Sequence, residues 1–210
     1  MQGKNLFITF EGGEGAGKTS VLKAIGERLQ EAKVHALLTR EPGGIEIAEK
    51  IRAIILNPAH TDMHERTEAL LYAAARAQHF YEKIDPALKE GKHVLCDRFI
   101  DSSLAYQGYA REIGVDDVLA INQFAIGKRL PDITIFFNLA PEKGLARIQA
   151  TRADEINRLD TEGLAFHQKV YEGYQEAMRR YPERFKIINA DQPIEQVIDE
   201  VWEILNPILG

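Results

Sequence analysis

The stretch Phe10–Ser20 holds the residues whose types and spacing point most directly to a chemistry. Gly12, Gly13, Glu14, Gly15, Ala16, Gly17, Lys18 and Thr19 fit G-x-x-x-x-G-K-[ST], and Ser20 follows as part of the same candidate nucleotide site. Glycines let such a loop wrap with its amides turned inward, and a following helix start adds partial positive charge, which together cradle phosphate. Lys18 would reach the terminal phosphates of a nucleoside triphosphate, and the Thr19 hydroxyl would face Mg2+. Asp97 closes the apolar run Val94-Leu95-Cys96, where a carboxylate can hold that Mg2+ directly or through water. Arg98 follows at once. A guanidinium there suits a second phosphate held in line with the first better than it suits the positioning of water. Arg40, Arg52 and Arg76 recur with Arg98 where a second, anionic substrate would lie. Arg147, Arg152 and Arg158 surround a polar stretch, expected to be a mobile lid at about 147–160. Cations that arrive on closure stabilise a transferring phosphoryl group, and the same closure excludes water.

These residues need a scaffold that brings them to one edge. Leu6–Phe10, Val34–Thr39, Val94–Cys96, Ile133–Phe137 and Phe185–Ile188 read as short buried strands. Helical patterns fall between them, the longest from about His64 to Lys89, others near Ser102–Tyr109, Val115–Ile126 and Thr161–Arg180. The closing helix carries Ile194, Val197, Ile198, Val201, Trp202 and Leu205 as one apolar stripe. Strands too apolar to face water, alternating with helices, predict a three-layer α/β fold with a five-stranded parallel sheet and helices on both faces. Ligands on such sheets sit at the carboxyl ends of the strands. The loop at Gly12–Thr19, Arg40-Glu41 and Asp97-Arg98 all fall there.

A chain of 210 residues with 45% hydrophobic content suits one domain, 1–210, with a sizeable core. A formal charge of −6 argues against general nucleic-acid binding, so a phosphate ligand needs locally clustered cations. The lone cysteine, Cys96, excludes an intramolecular disulfide and a cysteine-built metal site. The N-terminus lacks the pattern of a signal peptide, and no apolar run reaches the ~18 residues of a membrane span. A cytoplasmic protein is expected.

Three motifs in this order resemble the bacterial thymidylate kinases: Phe10–Thr19, Thr39-Arg40-Glu41-Pro42-Gly43-Gly44, and Asp97–Gly108. The likeness extends to Asn157–Asp160 and Asn189–Pro193 and so covers nearly the whole chain. It implies a P-loop fold, ATP- and Mg2+-dependent phosphorylation of dTMP to dTDP in dTTP biosynthesis, and a homodimer. By position it makes Asp97 the Mg2+-associated acid and Arg98, with Arg40 nearby, the clamp on the acceptor phosphate. Glu14 would bond the deoxyribose 3′-OH, Tyr72 would stack on thymine, and Arg76 would donate to its O4. Ser103 and Gln107 would line the base pocket, Tyr106 would sit under C2′, and Glu41 and Arg52 would complete the acceptor site. The family divides by its extra cation. Gly15, with Arg152 and Arg158 in the lid, resembles the class that lacks a loop arginine and uses lid arginines as catalytic groups beside Lys18, Asp97 and Arg98. The thymine methyl can supply only ~1–3 kcal/mol of discrimination, so dUMP should be rejected modestly.

Other features read as structural. His60, His64 and His79 suit surface positions better than a metal cluster, and Asp116-Asp117 suits a helix start. The helix at Val115–Ile126 is apolar on more than one face, which hints at burial against another subunit. Another nucleoside or nucleoside-monophosphate kinase, and a non-catalytic nucleotide switch, remain as alternative functions.

Overall fold

The computed structural model describes residues 5–151, 158–159 and 162–210. In chain order the elements are β1 (Phe7–Glu11), α1 (Lys18–Glu31), β2 (Ala36–Arg40), α2 (Glu46–Leu56), α3 (Glu65–His79), α4 (Asp85–Lys89), β3 (His93–Asp97) and α5 (Ile100–Ser103). They continue with α6 (Val115–Ile126), β4 (Ile133–Asn138), α7 (Pro141–Thr151), α8 (Leu164–Arg180), β5 (Phe185–Asn189) and α9 (Ile194–Leu209). Among the described residues the strands form one parallel sheet in the order β2-β3-β1-β4-β5. The register sets Phe10 beside Asp97, and Arg40 beside Asp97 on the other side, so the ends of the three strands form one row.

Alternation along each strand decides which layer a residue joins. Ile8, Phe10, Leu95, Ile135 and Phe137 pack under α1 and α9, against Val21, Ile25, Val201 and Leu205. Phe7, Val94 and Cys96 face the opposite layer and meet Phe80, Ile84, Leu104 and Val118. A third cluster joins Phe136 to Tyr106, Val170 and Tyr174. The closing helix buries Val197, Val201, Leu205 and Leu209, whereas Ile194 is 38% exposed, so the buried stripe is narrower than its sequence pattern.

Two π-helical turns interrupt the helical layer. The first, Phe80–Ile84, joins α3 to α4 just before Pro86, which has no N–H for the carbonyl of Glu82. The second, Leu104–Ala110, continues α5 and carries Tyr106 and Gln107. The polar stretch from Arg147 begins inside α7, so its first residues are helical. The expected lid at 147–160 thus starts on a helix, and 152–157 and 160 lie outside the described residues.

Candidate active site

The loop after β1 ends at Gly17, whose left-handed φ of 86° caps α1. The helix's first bond, Val21 N to Gly17 O, spans 3.0 Å, and the amides of Lys18, Thr19 and Ser20 precede it, the positions at which helix geometry leaves donors for an anion. Gly15 has φ +69°, and a Cβ there would lie 2.2 Å from the carbonyl oxygen of Gly144 on α7. The loop packs backbone to backbone on α7, so this position has no room for the arginine that the other class of the resembled family carries.

Lys18 donates to the carbonyl oxygens of Gly12 and Gly13 at 3.1 and 2.7 Å. Burial, with Arg98 adding to it, lowers its ammonium to about 8. Phosphates of a bound triphosphate would favour the charged form and raise it again. Below pH 8 Lys18 is already charged, so the sign is proton uptake on binding above that pH. Calorimetry at pH 8.5 in buffers of different ionisation enthalpy should therefore show uptake approaching about three-quarters of a proton. Lys18→Arg, which does not titrate in this range, should abolish it.

Thr19 Oγ1 donates to Asp97 Oδ2 at 2.5 Å across the ends of α1 and β3. This hydroxyl–carboxylate pair is the hard-oxygen set that Mg2+ uses when phosphates and water fill its remaining positions. Among the described residues no group of three or more His, Cys, Asp or Glu side chains offers an all-protein metal cage. The residues therefore fit a nucleotide-borne Mg2+.

Arg98 sits at the bend after β3 with a left-handed φ of 66°. Its Nη2 donates to Glu14 Oε1 at 2.6 Å, and Tyr106 OH donates to the same oxygen at 2.9 Å. Burial would raise the Glu14 carboxyl, but Arg98, Lys18 and Tyr106 together lower it to about 2. Arg98 Nη1 donates to Gly12 O at 3.0 Å, Tyr174 OH at 3.1 Å and Ser102 Oγ at 3.2 Å. Burial disfavours the Arg98 charge, yet Glu14 and the phenols of Tyr106 and Tyr174 outweigh it and hold the guanidinium firmly protonated.

Arg76, 2% exposed on α3, is fixed on four sides. Nε donates to Glu41 Oε2 (2.7 Å), Nη1 to Ser103 Oγ (2.8 Å) and Asn122 Oδ1 (2.5 Å), and Nη2 to Phe99 O (2.9 Å). Glu41 is held in turn by His79 Nδ1 at 3.0 Å, whose Nε2 lies 2.7 Å from Thr39 Oγ1. His79 is fully buried and bonded at both ring nitrogens, which corrects its reading as a surface residue. His64 caps α3, and His60 bonds Ile54 O. Arg40 and Arg52 both donate to Pro42 O, at 3.1 and 3.0 Å, and Arg40 also pairs with Glu49.

One cavity of about 550 Å3 joins these groups. Its walls include Glu14 through Ser20, Asp97, Arg98, Arg147 and Gln192, together with Arg40, Glu41, Arg52, Tyr72, Arg76, Ser103, Tyr106 and Gln107. Gly12 and Gly13 contribute carbonyls rather than wall. Arg158 does not line this cavity: its Nε donates to Ile55 O at 2.9 Å and its Nη2 pairs with the buried Glu68, which also accepts from Gln107 Nε2 at 2.8 Å. In this conformation a buried carboxylate, Glu68, holds the Arg158 guanidinium. Arg152 lies outside the described residues.

Glu11, Glu68, Asn122 and Tyr174 complete the site's wiring and were not singled out from sequence. Glu11 carried a signal, since a carboxylate ending a strand as apolar as Phe7–Phe10 needs buried donors. The other three sit inside helical patterns that read as packing.

A family model described as thymidylate kinase matches residues 10–201. The thymidylate kinase of Bacillus licheniformis is 59% identical over 204 residues, 97% of this chain and 96% of that one. That of Halalkalibacterium halodurans is 61% identical over 207 residues, 99% of each chain. The crystal structure of thymidylate kinase from Ehrlichia chaffeensis superposes with a TM-score of 0.77 at 31% identity, covering 96% of this chain and 98% of that one. With a family model spanning residues 10–201 and relatives 59% and 61% identical over nearly its full length, the chain belongs to the thymidylate kinase family.

Proposed function

We propose that this protein transfers the γ-phosphoryl group of ATP to dTMP, giving dTDP and ADP, in the cytoplasm. The observation that carries this reading is that one cavity is lined both by the Lys18–Thr19 anion cradle and by Arg40, Arg52, Arg76 and Arg98. Two phosphorylated ligands entering from opposite ends would meet at Asp97 and Arg98. The loop amides and Lys18 hold the donor's phosphates. Thr19 and Asp97 hold Mg2+, which when bound neutralises charge on those phosphates. Arg98, with Arg40 and Arg52 at the rim, holds the acceptor phosphate in line, so that orientation and charge stabilisation do most of the catalysis. Glu14 accepts from the deoxyribose 3′-OH, Tyr106 closes the space at C2′, Tyr72 stacks on the base, and Arg76 with Ser103 and Gln107 reads its edge. Arg152, in the lid at about 147–160, supplies a closing cation; Arg158, held by Glu68, anchors that segment.

A coupled ADP-release assay with ATP, Mg2+ and each deoxynucleoside monophosphate in turn tests the reading. ADP release should require an acceptor and be fastest with dTMP. A different best acceptor would point to another nucleoside-monophosphate kinase, and release without acceptor to a nucleotide switch or hydrolase.

We also propose that the chain works as a homodimer. Phe124 on α6 is 94% exposed, while Val118, Asn122, Ala125 and Ile126 on the same helix are buried, so the outward face carries a large ring. Pairing through this face would cover it. Phe124→Glu should convert a dimer into a monomer by light scattering, and an unchanged mass would rule this face out.

A further inference from the structure

Behind Arg98 lies a buried polar cradle to which the roles above assign nothing. Glu11, fully buried at the end of β1, accepts from Phe99 N on Oε1 at 2.7 Å. Its Oε2 accepts from Ser102 Oγ at 2.6 Å and from Tyr174 OH at 3.0 Å. Those two hydroxyls, 2.9 Å apart, are the side-chain groups that accept from Arg98 Nη1, beside the carbonyl of Gly12. Burial and the neighbouring Asp101 push the Glu11 carboxyl up, against the bonds it accepts and the charge of Arg98.

We propose that Glu11, acting through Ser102 and Tyr174, is a positioning residue for phosphoryl transfer that fixes the orientation of Arg98. A hydroxyl has one proton and two lone pairs. By taking that proton from both hydroxyls, Glu11 turns their lone pairs toward Arg98 Nη1 and keeps Nη2 toward the loop and cavity. Through Phe99 N it also holds the backbone just past the left-handed Arg98, a conformation that costs an L-residue ~1–2 kcal/mol and needs support. The inference rests on Arg98 being the acceptor-phosphate clamp.

Glu11→Gln keeps the shape and reverses the polarity. Phe99 N–H is a fixed donor, so the amide oxygen must face it and the NH2 must face the hydroxyls, which then lose their reason to accept from Arg98. Glu11→Gln should lower kcat with dTMP about tenfold to a hundredfold, with KM for ATP within about twofold and the melting temperature little changed. Tyr174→Phe and Ser102→Ala should each lose less. In a mutant cycle, adding Glu11→Gln to the Ser102→Ala/Tyr174→Phe enzyme should cost much less than adding it to wild type. If Glu11→Gln does not fold, a kcat loss at unchanged ATP KM in Tyr174→Phe upholds the proposal and wild-type kinetics there overturn it. Wild-type kcat in folded Glu11→Gln, or fully additive losses, would also overturn it. Arg98→Lys separates the two readings. Full activity in that variant removes the clamp itself, whereas a crippled Arg98→Lys beside an undisturbed Glu11→Gln removes only the cradle.

Discussion

Arg98→Ala is expected to lower kcat/KM for dTMP about a thousandfold while leaving KM for ATP nearly unchanged. Arginines that meet the charge of a transferring phosphoryl group contribute ~10³–10⁵ in rate, and Arg98 lines the cavity where the proposed reaction would develop that charge. Its loss acts twice. The acceptor phosphate loses its in-line clamp, and Glu14 loses the neighbour that contributes most to holding its carboxyl near 2. A Glu14 freed of that partner would be less firmly fixed as an acceptor for a sugar hydroxyl. Backbone strain is a possible confounder, because Arg98 has a φ of 66° that alanine tolerates poorly. Arg98→Gly separates the effects: glycine adopts this φ freely and should be about 1 kcal/mol more stable than Arg98→Ala, with the same catalytic loss. If the glycine variant regained activity, strain rather than the guanidinium would explain the defect.

The phosphate loop was legible because every part of its chemistry is local. The strand, glycines, lysine and helix start follow one another, and physical chemistry assigns each a job without knowledge of the rest. Asp97 and Arg98 were legible for a related reason, since the end of a buried strand is the one place where a charge can be both fixed and accessible. The cradle behind Arg98 was not. It joins Glu11 to Ser102 and Tyr174 across 91 and 163 positions of sequence, and Tyr174 continues an apolar stripe on α8 that already explains it as packing. His79 misled for the opposite reason. Polar neighbours in sequence suggested exposure, but α3 turns it against Thr39 and Glu41 at the end of β2. Arg158 shows how composition can mark a functional region without giving its wiring. The cluster of arginines was visible, but not Glu68, which lies 90 positions away and holds one of them.

Arg76→Ala should collapse the preference for dTMP over dCMP by about a hundredfold or more, through loss of dTMP activity rather than equal loss of both. A guanidinium has five N–H donors. Glu41, Ser103, Asn122 and Phe99 O engage four of them. The remaining Nη2 hydrogen belongs to a side chain that lines the cavity and cannot rotate to accommodate a different base. In the proposed role a thymine O4 would accept from it, whereas the exocyclic amino group of cytosine would set donor against donor in a buried site. Sites built on such a polar contact discriminate by ~10⁴–10⁵ overall, and one contact can account for a few powers of ten of that. Stability must be measured beside activity, because Arg76→Ala strips Glu41 of a buried partner, and breaking such a pair costs ~3–5 kcal/mol. Arg76→Lys is the companion variant. It keeps a cation near Glu41 but cannot hold the forked geometry, so it should fold better than alanine and still lose selectivity. If both variants lowered dTMP and dCMP turnover by the same factor, Arg76 would be holding the wall together rather than reading the base.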